Sequence, residues 1–184
     1  MYNGNFQNDF NEAVKRGSKI TDILTGLFKK GKVIHIENLH ESIADLLDKY
    51  SGIDAIYFNE LDLAGVALRI QQNSNKNWET FTIRYKRITG TETEYSKRIR
   101  QIFAFHPSFY PHYTCQAYLS DDNKLIGGGV CYTSDLFKLA KESEPFNNNP
   151  ALDIYLNTNS KDGNEFLVVK FCAFKNNNLR LLTF

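Results

Sequence analysis

Three strand-like stretches decide the fold, and they read IDAIYF at 53–58, GVALRIQ at 65–71 and TFTIRYKRI at 80–88. Each is short and rich in β-branched and aromatic residues, and polar, turn-like runs separate them, as expected for neighbouring strands of one sheet. A fourth strand is predicted at Tyr113–Leu119, so the expected sheet has at least four strands.

The polar side chains of these strands form a possible site, because side chains alternate between the two faces of a strand. Arg69 and Gln71 share one face of the second strand, and Arg84 and Lys86 share one face of the third. Asp54 lies at the start of the first strand. If Asp54 lies beside Arg69, the pair is either part of a functional site or a cross-strand ion pair, and the sequence leaves both open.

A helix is predicted immediately before the first strand, from Leu39 to Tyr50. Asn38 and Glu41 have the spacing of a capping box, and the helix is expected to end at Ser51-Gly52. Its apolar residues recur at helical spacing and predict a buried stripe of Leu39, Ile43, Leu46, Leu47 and Tyr50.

A second helix is predicted from Thr93 to Phe105, with Thr91 and Glu94 as its capping box. Tyr95, Ile99, Ile102 and Phe103 form the expected buried stripe. The opposite face carries Lys97, Arg98, Arg100 and Gln101, which suits contact with phosphate groups or simple exposure to water.

The C-terminal third predicts further strands. Tyr113–Leu119 and Leu125–Tyr132 flank a polar turn and indicate a hairpin, and Gly127–Gly129 indicates a bulge or a close backbone approach. Additional strands are expected within 151–156, 165–174 and 179–184.

The order helix, three strands, helix, strand, with Asp54 on one strand and Arg69 on the next, resembles the core of the PD-(D/E)XK nuclease superfamily. The resemblance implies a single α/β domain with a central mixed β-sheet flanked by helices and an αβββαβ-like core. It divides the chain into a helical region at 1–36, a nuclease-like core at 37–119 and a C-terminal strand extension at 120–184.

The resemblance also implies site residues. Asp54 matches the strand aspartate that binds Mg²⁺, and Arg69 stands where the family has its lysine. Ala67 stands where the family has its second carboxylate, so that ligand is missing from the strand. The expected metal ligands are therefore Asp54 and a carboxylate from a helix, either Glu41 or Glu12. Gln71 is the expected neutral ligand or phosphate contact, and Asp54, Arg69 and Gln71 form the implied catalytic set.

The charge distribution suggests where a nucleic acid binds, although the net charge is only +1. Basic residues concentrate at 15–32 and 84–100, and they flank an acidic stretch at 37–62. The predicted contacts to DNA or RNA phosphates are Arg84, Lys86, Lys97, Arg98 and Arg100. Solvated helix faces explain the same pattern, and that alternative stays open. The dense aromatic residues at 103–118 likewise indicate either stacking on unpaired bases or a packing seam.

Two functions follow from the sequence. The first is a nucleic-acid-binding, nuclease-like protein, with Mg²⁺-dependent phosphodiesterase activity if the degenerate site is catalytic. The second is a non-enzymatic interaction protein of a phage or mobile element that binds nucleic acid or a protein partner, including a second copy of itself.

A cytoplasmic protein without a membrane partner is expected, because no apolar run approaches the roughly 20 residues that span a bilayer. The three cysteines, Cys115, Cys131 and Cys172, are expected to be reduced and buried.

Overall fold

The strands and helices follow the order that the sequence predicts. A computed structural model describes residues 21–22, 24–26, 31–60, 62–72, 74–104, 109–160 and 162–184. Most of the predicted N-terminal helical region lies outside this part of the chain, and residues 21–22 and 24–26 are helical. Strands β1–β9 span Lys32–His35, Ala55–Phe58, Leu63–Gln71, Thr80–Lys86, Tyr113–Leu119, Leu125–Tyr132, Ile154–Thr158, Glu165–Lys170 and Leu181–Thr183. Helices α1–α4 span Glu41–Asp45, Glu94–Phe103, Thr133–Glu142 and Phe171–Asn176. A 3₁₀ turn at Ile36–Asn38 precedes α1, and a π-helical segment at Leu46–Ser51 continues it.

The larger sheet is mixed, with strand order β1-β2-β3-β5-β6-β9. Its neighbours are antiparallel except β3 and β5, which run parallel from the pair Val66 and Tyr113 to the pair Gln71 and Tyr118. Parallel neighbours need a long crossover connection, and here it contains β4 and α2. The α/β fold with a central mixed sheet and flanking helices is therefore confirmed.

The predicted membership of that sheet is wrong for β4. This strand pairs with β8 in a second, three-stranded sheet of order β4-β8-β7. The reason is that β2 and β5 occupy the two edges of β3, so β3 has no free edge for β4. The C-terminal extension is divided as well, because β9 joins the larger sheet while β7 and β8 build the smaller one.

The two sheets meet through polar side chains. The Tyr118 hydroxyl donates to the carbonyl oxygen of Thr80 at 2.6 Å, and the Thr82 hydroxyl donates to Gln116 Oε1 at 3.2 Å. On the other face of β4, Phe81 and Ile83 enter an apolar core with α3 and β8. The polar face of β4 is thus turned toward the larger sheet, and this orientation places Arg84 beside it.

Both helices that flank the predicted core differ from expectation in what they bury. On α1 and its π-helical continuation, Ile43, Leu46 and Tyr50 are exposed, so the predicted buried stripe is wrong. The cap is also different, because His40 Nδ1 accepts from the Ser42 amide. On α2, Arg98 is buried although the sequence placed it on the solvated face. Gln101, from that same face, is buried as well, and Thr93 with Ser96 forms the capping box.

The predicted hairpin is confirmed with its expected bounds as β5 and β6. A Cβ atom at Gly128 would lie 2.2 Å from the carbonyl oxygen of Gln116, which explains the glycine by close backbone approach. The three cysteines are free. Cys172 is exposed rather than buried, because the chain leaves β8 and begins α4 at Phe171.

Within the described ranges, the helices are too short or too polar to cross a membrane.

Candidate functional site

The charged side chains of the predicted core converge on a cleft of about 400 Å³ between the middle of β3, the end of β4 and the first turns of α2. We call it the arginine cleft. Its cations are Lys49, Arg69, Arg84, Arg87, Lys97 and Arg98, and its carboxylates are Asp48, Asp54, Glu92 and Glu94. Cations are therefore in excess, and this excess grows when a carboxylate takes up a proton.

Glu94 is the carboxylate that organises the two strands. It is the first residue of α2, where a negative charge interacts favourably with the helix dipole. Arg69 Nη2 of β3 donates to Glu94 Oε2. The Arg84 backbone amide of β4 donates to the same oxygen at 3.3 Å. One glutamate thus joins the two sheets and the helix at the cleft.

Arg84 has the least satisfied cationic side chain in the cleft. Its Nε is buried and has no hydrogen-bond partner among the described residues. Its guanidinium lies 5.6 Å from the centre of the Phe166 ring, a cation–π contact that fixes its position without using its N–H donors. Burial lowers the pKa of Arg84, and repulsion from Arg87 and Arg69 lowers it further. A buried donor beside two more arginines is an arrangement that an anion would stabilise.

Asp54 enters the cleft from the residue before β2. Its Oδ2 accepts the Leu68 amide at 2.6 Å. Burial raises the pKa of Asp54 to about 7, and nearby Asp48 and Glu94 contribute in the same direction. The Leu68 amide and the charge of Arg69 only partly oppose this rise. Burial therefore makes the protonated form of Asp54 accessible much closer to neutral pH than is usual for an aspartate.

The sequence left open whether Asp54 and Arg69 belong to a functional site or form a cross-strand ion pair. Both residues line the arginine cleft. The salt bridge of Arg69 is to Glu94. The sequence missed Glu94 as a site residue because its position fits a capping box equally well. It also missed Arg87, which was visible only as one member of the basic stretch at 84–100.

Arg98 is a structural anchor at the floor of the cleft. Its Nη1 donates to the Ser51 carbonyl at 2.5 Å and to Gln101 Oε1 at 2.6 Å, and its Nη2 donates to the Gly52 carbonyl at 2.9 Å. Only 4% of the residue is exposed. Its donors are therefore directed at its own chain, although the sequence placed it among the phosphate contacts.

The other predicted phosphate contacts occupy different places. Lys97 lines the cleft and donates from Nζ to the Lys49 carbonyl at 2.7 Å. Arg100 does not line the cleft but pairs at 2.8 Å with Glu92, which does, and Lys86 lies 3.8 Å from Glu165 on the surface. Among the five predicted contacts, Arg84 alone combines a place in the cleft with an unused, buried donor.

The residues predicted to hold Mg²⁺ are not assembled around Asp54. Glu41 is exposed at the start of α1 and does not line the cleft, Gln71 is exposed at the end of β3, and Glu12 lies outside the described residues. Asp54 already accepts a backbone amide, and Glu94 is neutralised by Arg69. In the part of the chain that the structure covers, no three carboxylate, histidine or cysteine groups cluster as metal ligands. Among the described residues, Asp54 and Glu94 therefore do not offer the several free oxygen ligands that a magnesium ion needs.

A larger cavity of about 570 Å³ lies elsewhere, between Tyr57, Tyr113 and Tyr132. Its charged lining consists of Asp62 and Arg180, which balance each other. The arginine cleft is smaller than this cavity, but it holds the excess of charged side chains.

Comparison with known proteins finds no matching family model, no matching curated protein and no matching solved structure. The resemblance to the PD-(D/E)XK superfamily therefore stays a prediction that rests on element order. That order is present as α1, β2, β3, β4, α2 and β5, with β4 displaced into the second sheet.

Proposed function

We propose that the protein binds a nucleic acid by its phosphate backbone in the arginine cleft. The observation that carries this proposal is the buried Arg84 Nε without a partner, beside Arg69 and Arg87. Burying a polar donor without a hydrogen bond is unfavourable, and a phosphate oxygen that reaches Nε when the Arg84 side chain turns toward the open cleft would relieve that penalty. Guanidinium groups match the geometry of phosphate better than ammonium groups do.

The distribution of charge outside the cleft supports a polyanion over a small anion. Lys86 follows Arg84 on β4, and Arg100 follows Lys97 on α2. Both are largely exposed at the surface. A chain of phosphates can contact the cleft and these outer cations together, whereas a single small anion reaches only the cleft.

The arrangement favours binding over cleavage. Arg69 stands at the position of the family's lysine, and an arginine stays charged near neutral pH and cannot take a proton from water. It is also held by Glu94. The proposed protein is thus a nuclease-like domain that keeps a phosphate-binding surface without the carboxylates of a metal centre.

The direct test replaces Arg84 and Arg87 together by glutamine and measures binding of fluorescein-labelled oligonucleotides by anisotropy. The matched control is Lys138→Gln with Lys175→Gln, which removes the same charge from α3 and α4, outside the cleft. We expect the cleft variant to bind more weakly than the control at every oligonucleotide sequence. The slope of log K against log salt should fall by about 0.7 to 0.9 for each phosphate that the variant no longer neutralises.

Two results would overturn the proposal. One is a wild-type protein that shows no salt-sensitive binding of DNA or RNA at low ionic strength. The other is an equal drop in affinity in the cleft and control variants, which would assign binding to net charge alone.

Incubating the protein with single- and double-stranded DNA and RNA and Mg²⁺ or Mn²⁺ tests cleavage separately. Cleavage that Asp54→Asn abolishes would contradict the non-cleaving part of the proposal.

A further inference from the structure

We infer that the nucleic acid bound at the arginine cleft is single-stranded, and that Tyr50 and Phe109 stack on its unpaired bases. The inference rests on the proposed function and adds to it the class of nucleic acid. It comes from two exposed aromatic side chains that adjoin the cleft and that the fold does not use in its core.

Tyr50 is the first of these side chains. It ends the predicted apolar stripe of α1 and its π-helical continuation, yet 63% of its surface is exposed. Its neighbour Lys49 lines the cleft, and Lys49 Nζ lies 5.9 Å from the centre of the Tyr50 ring. The ring is therefore within reach of a strand whose phosphates occupy the cleft.

Phe109 is the second, and 55% of it is exposed. Gln101 Nε2 lies 3.0 Å from the Tyr50 carbonyl oxygen and 3.4 Å from that of Phe109, so one amide holds the backbones of both residues. Gln101 in turn accepts from Arg98, which lines the cleft. The backbones of Tyr50 and Phe109 are thus held by one amide, and the same side chain accepts a hydrogen bond from Arg98 at the floor of the cleft.

The chemistry of this surface distinguishes between kinds of nucleic acid. Unpaired bases stack on aromatic rings, whereas the bases of a duplex are already stacked inside the helix and offer only their edges. Phosphate contacts alone serve either kind. An exposed aromatic pair next to a phosphate-binding cleft therefore favours a single strand.

Exposed Ile43 and Leu46 precede Tyr50 on the same helix and would equally suit a protein partner. The charge next to Tyr50 argues for nucleic acid instead, because Lys49 and Lys97 lie where the helix reaches the cleft. A phosphate backbone complements those ammonium groups.

The test compares labelled single strands and duplexes of equal length, both as DNA and as RNA, by anisotropy. Tyr50→Ala with Phe109→Ala is the stacking variant, and Tyr50→Leu keeps an apolar side chain without a ring. The control is Tyr132→Ala, which removes a part-exposed tyrosine that lies outside the arginine cleft. The fluorescence of Trp78, the single tryptophan, reports whether each variant is folded.

We expect wild-type protein to bind single strands about tenfold more tightly than duplexes, since each base that stacks on an aromatic ring adds to the affinity. The stacking variant should lose most of that preference, Tyr50→Leu should lose part of it, and Tyr132→Ala should keep it. Duplex binding as tight as single-strand binding overturns the inference, and so does a folded stacking variant with unchanged affinity. In both of those cases the weaker binding on changing Arg84 and Arg87 would remain, so the proposed function would survive. If that arginine variant also has no effect, both ideas fail.

Discussion

Replacing Arg98 by alanine should destabilise the protein strongly, because this buried arginine holds the end of the π-helical segment against α2. The side chain makes three hydrogen bonds, to the Ser51 and Gly52 carbonyls and to Gln101 Oε1. Truncation removes all three donors at once and leaves acceptors on two buried residues, Ser51 and Gln101, and on partly buried Gly52. Hydrogen bonds from a charged group contribute about 1.5 to 3 kcal/mol each, but they are not additive.

The expected loss is about 3 to 5 kcal/mol in the free energy of unfolding, the range seen when one partner of a buried charged network is removed. For a chain of this length each kcal/mol lowers the melting temperature by about 2 to 4 °C. The melting temperature should therefore fall by about 6 to 20 °C.

Urea denaturation, followed by Trp78 fluorescence and by circular dichroism, measures the loss in the free energy of unfolding. Arg100→Ala is the matched control, since it lies on the same helix, is exposed and makes a surface ion pair with Glu92. Exposed pairs of this kind contribute less than about 1 kcal/mol. Arg98→Lys should fall between the two, because lysine keeps the charge but lacks the forked donors. A loss for Arg98→Ala below about 1 kcal/mol, or equal to that of Arg100→Ala, would refute the reasoning.

Two further changes test the same region. Gly52→Ala should destabilise the protein more than Gly90→Ala, although both glycines have positive φ. A Cβ atom at position 52 would lie 2.3 Å from Arg98 Nη2, whereas the space around position 90 is open. Equal melting temperatures for the two variants would contradict this. The pKa of Asp54 is about 7 in the folded protein and near 4 in the unfolded chain. Its contribution to the free energy of unfolding is therefore full below about pH 4 and is lost as the pH rises through 7. The slope of that free energy against pH is at most about 1.4 kcal/mol per pH unit. Asp54→Asn should remove that slope and make the protein more stable than the wild type at about pH 8, and superimposable stability curves for the two proteins would rule this out. The same proton should tighten oligonucleotide binding as the pH falls from about 8 to 6, because it removes a negative charge from the cleft, and binding by Asp54→Asn should show a weaker dependence.

The sequence predicted the local elements well because their signals are local. The hairpin of β5 and β6 appears at its expected bounds, since strand alternation and a polar turn specify both strands and their pairing. β2, β3 and β4 are present as individual strands whose bounds differ from the predicted ones by about two residues, and α2 begins at Glu94, next to its predicted start at Thr93. For Gly127–Gly129 the sequence left open a bulge or a close backbone approach, and the close approach is found at Gly128.

The candidate site was only partly predictable. Asp54, Arg69 and Arg84 do line one cleft, as the alternation of polar side chains suggested. Glu94 was not anticipated as the carboxylate that binds Arg69, because the partner of a charged side chain depends on packing between distant elements. For the same reason Glu41 was grouped with Asp54, although the two do not share the cleft.

By itself, the sequence determined most of the strands and helices, because that information lies in the spacing of polar and apolar residues along the chain. The strand expected within 165–174 was wrong in its second half, because β8 ends at Lys170 and α4 begins at Phe171. The tertiary structure alone decided which faces are buried. It turned Arg98 and Gln101 inward and left Ile43, Leu46 and Tyr50 in water. It also moved β4 to a second sheet, since both edges of β3 were already paired. An amphipathic pattern shows that one face of a helix differs from the other, but the partners that cover each face come from remote parts of the chain, and the sequence pattern does not encode them.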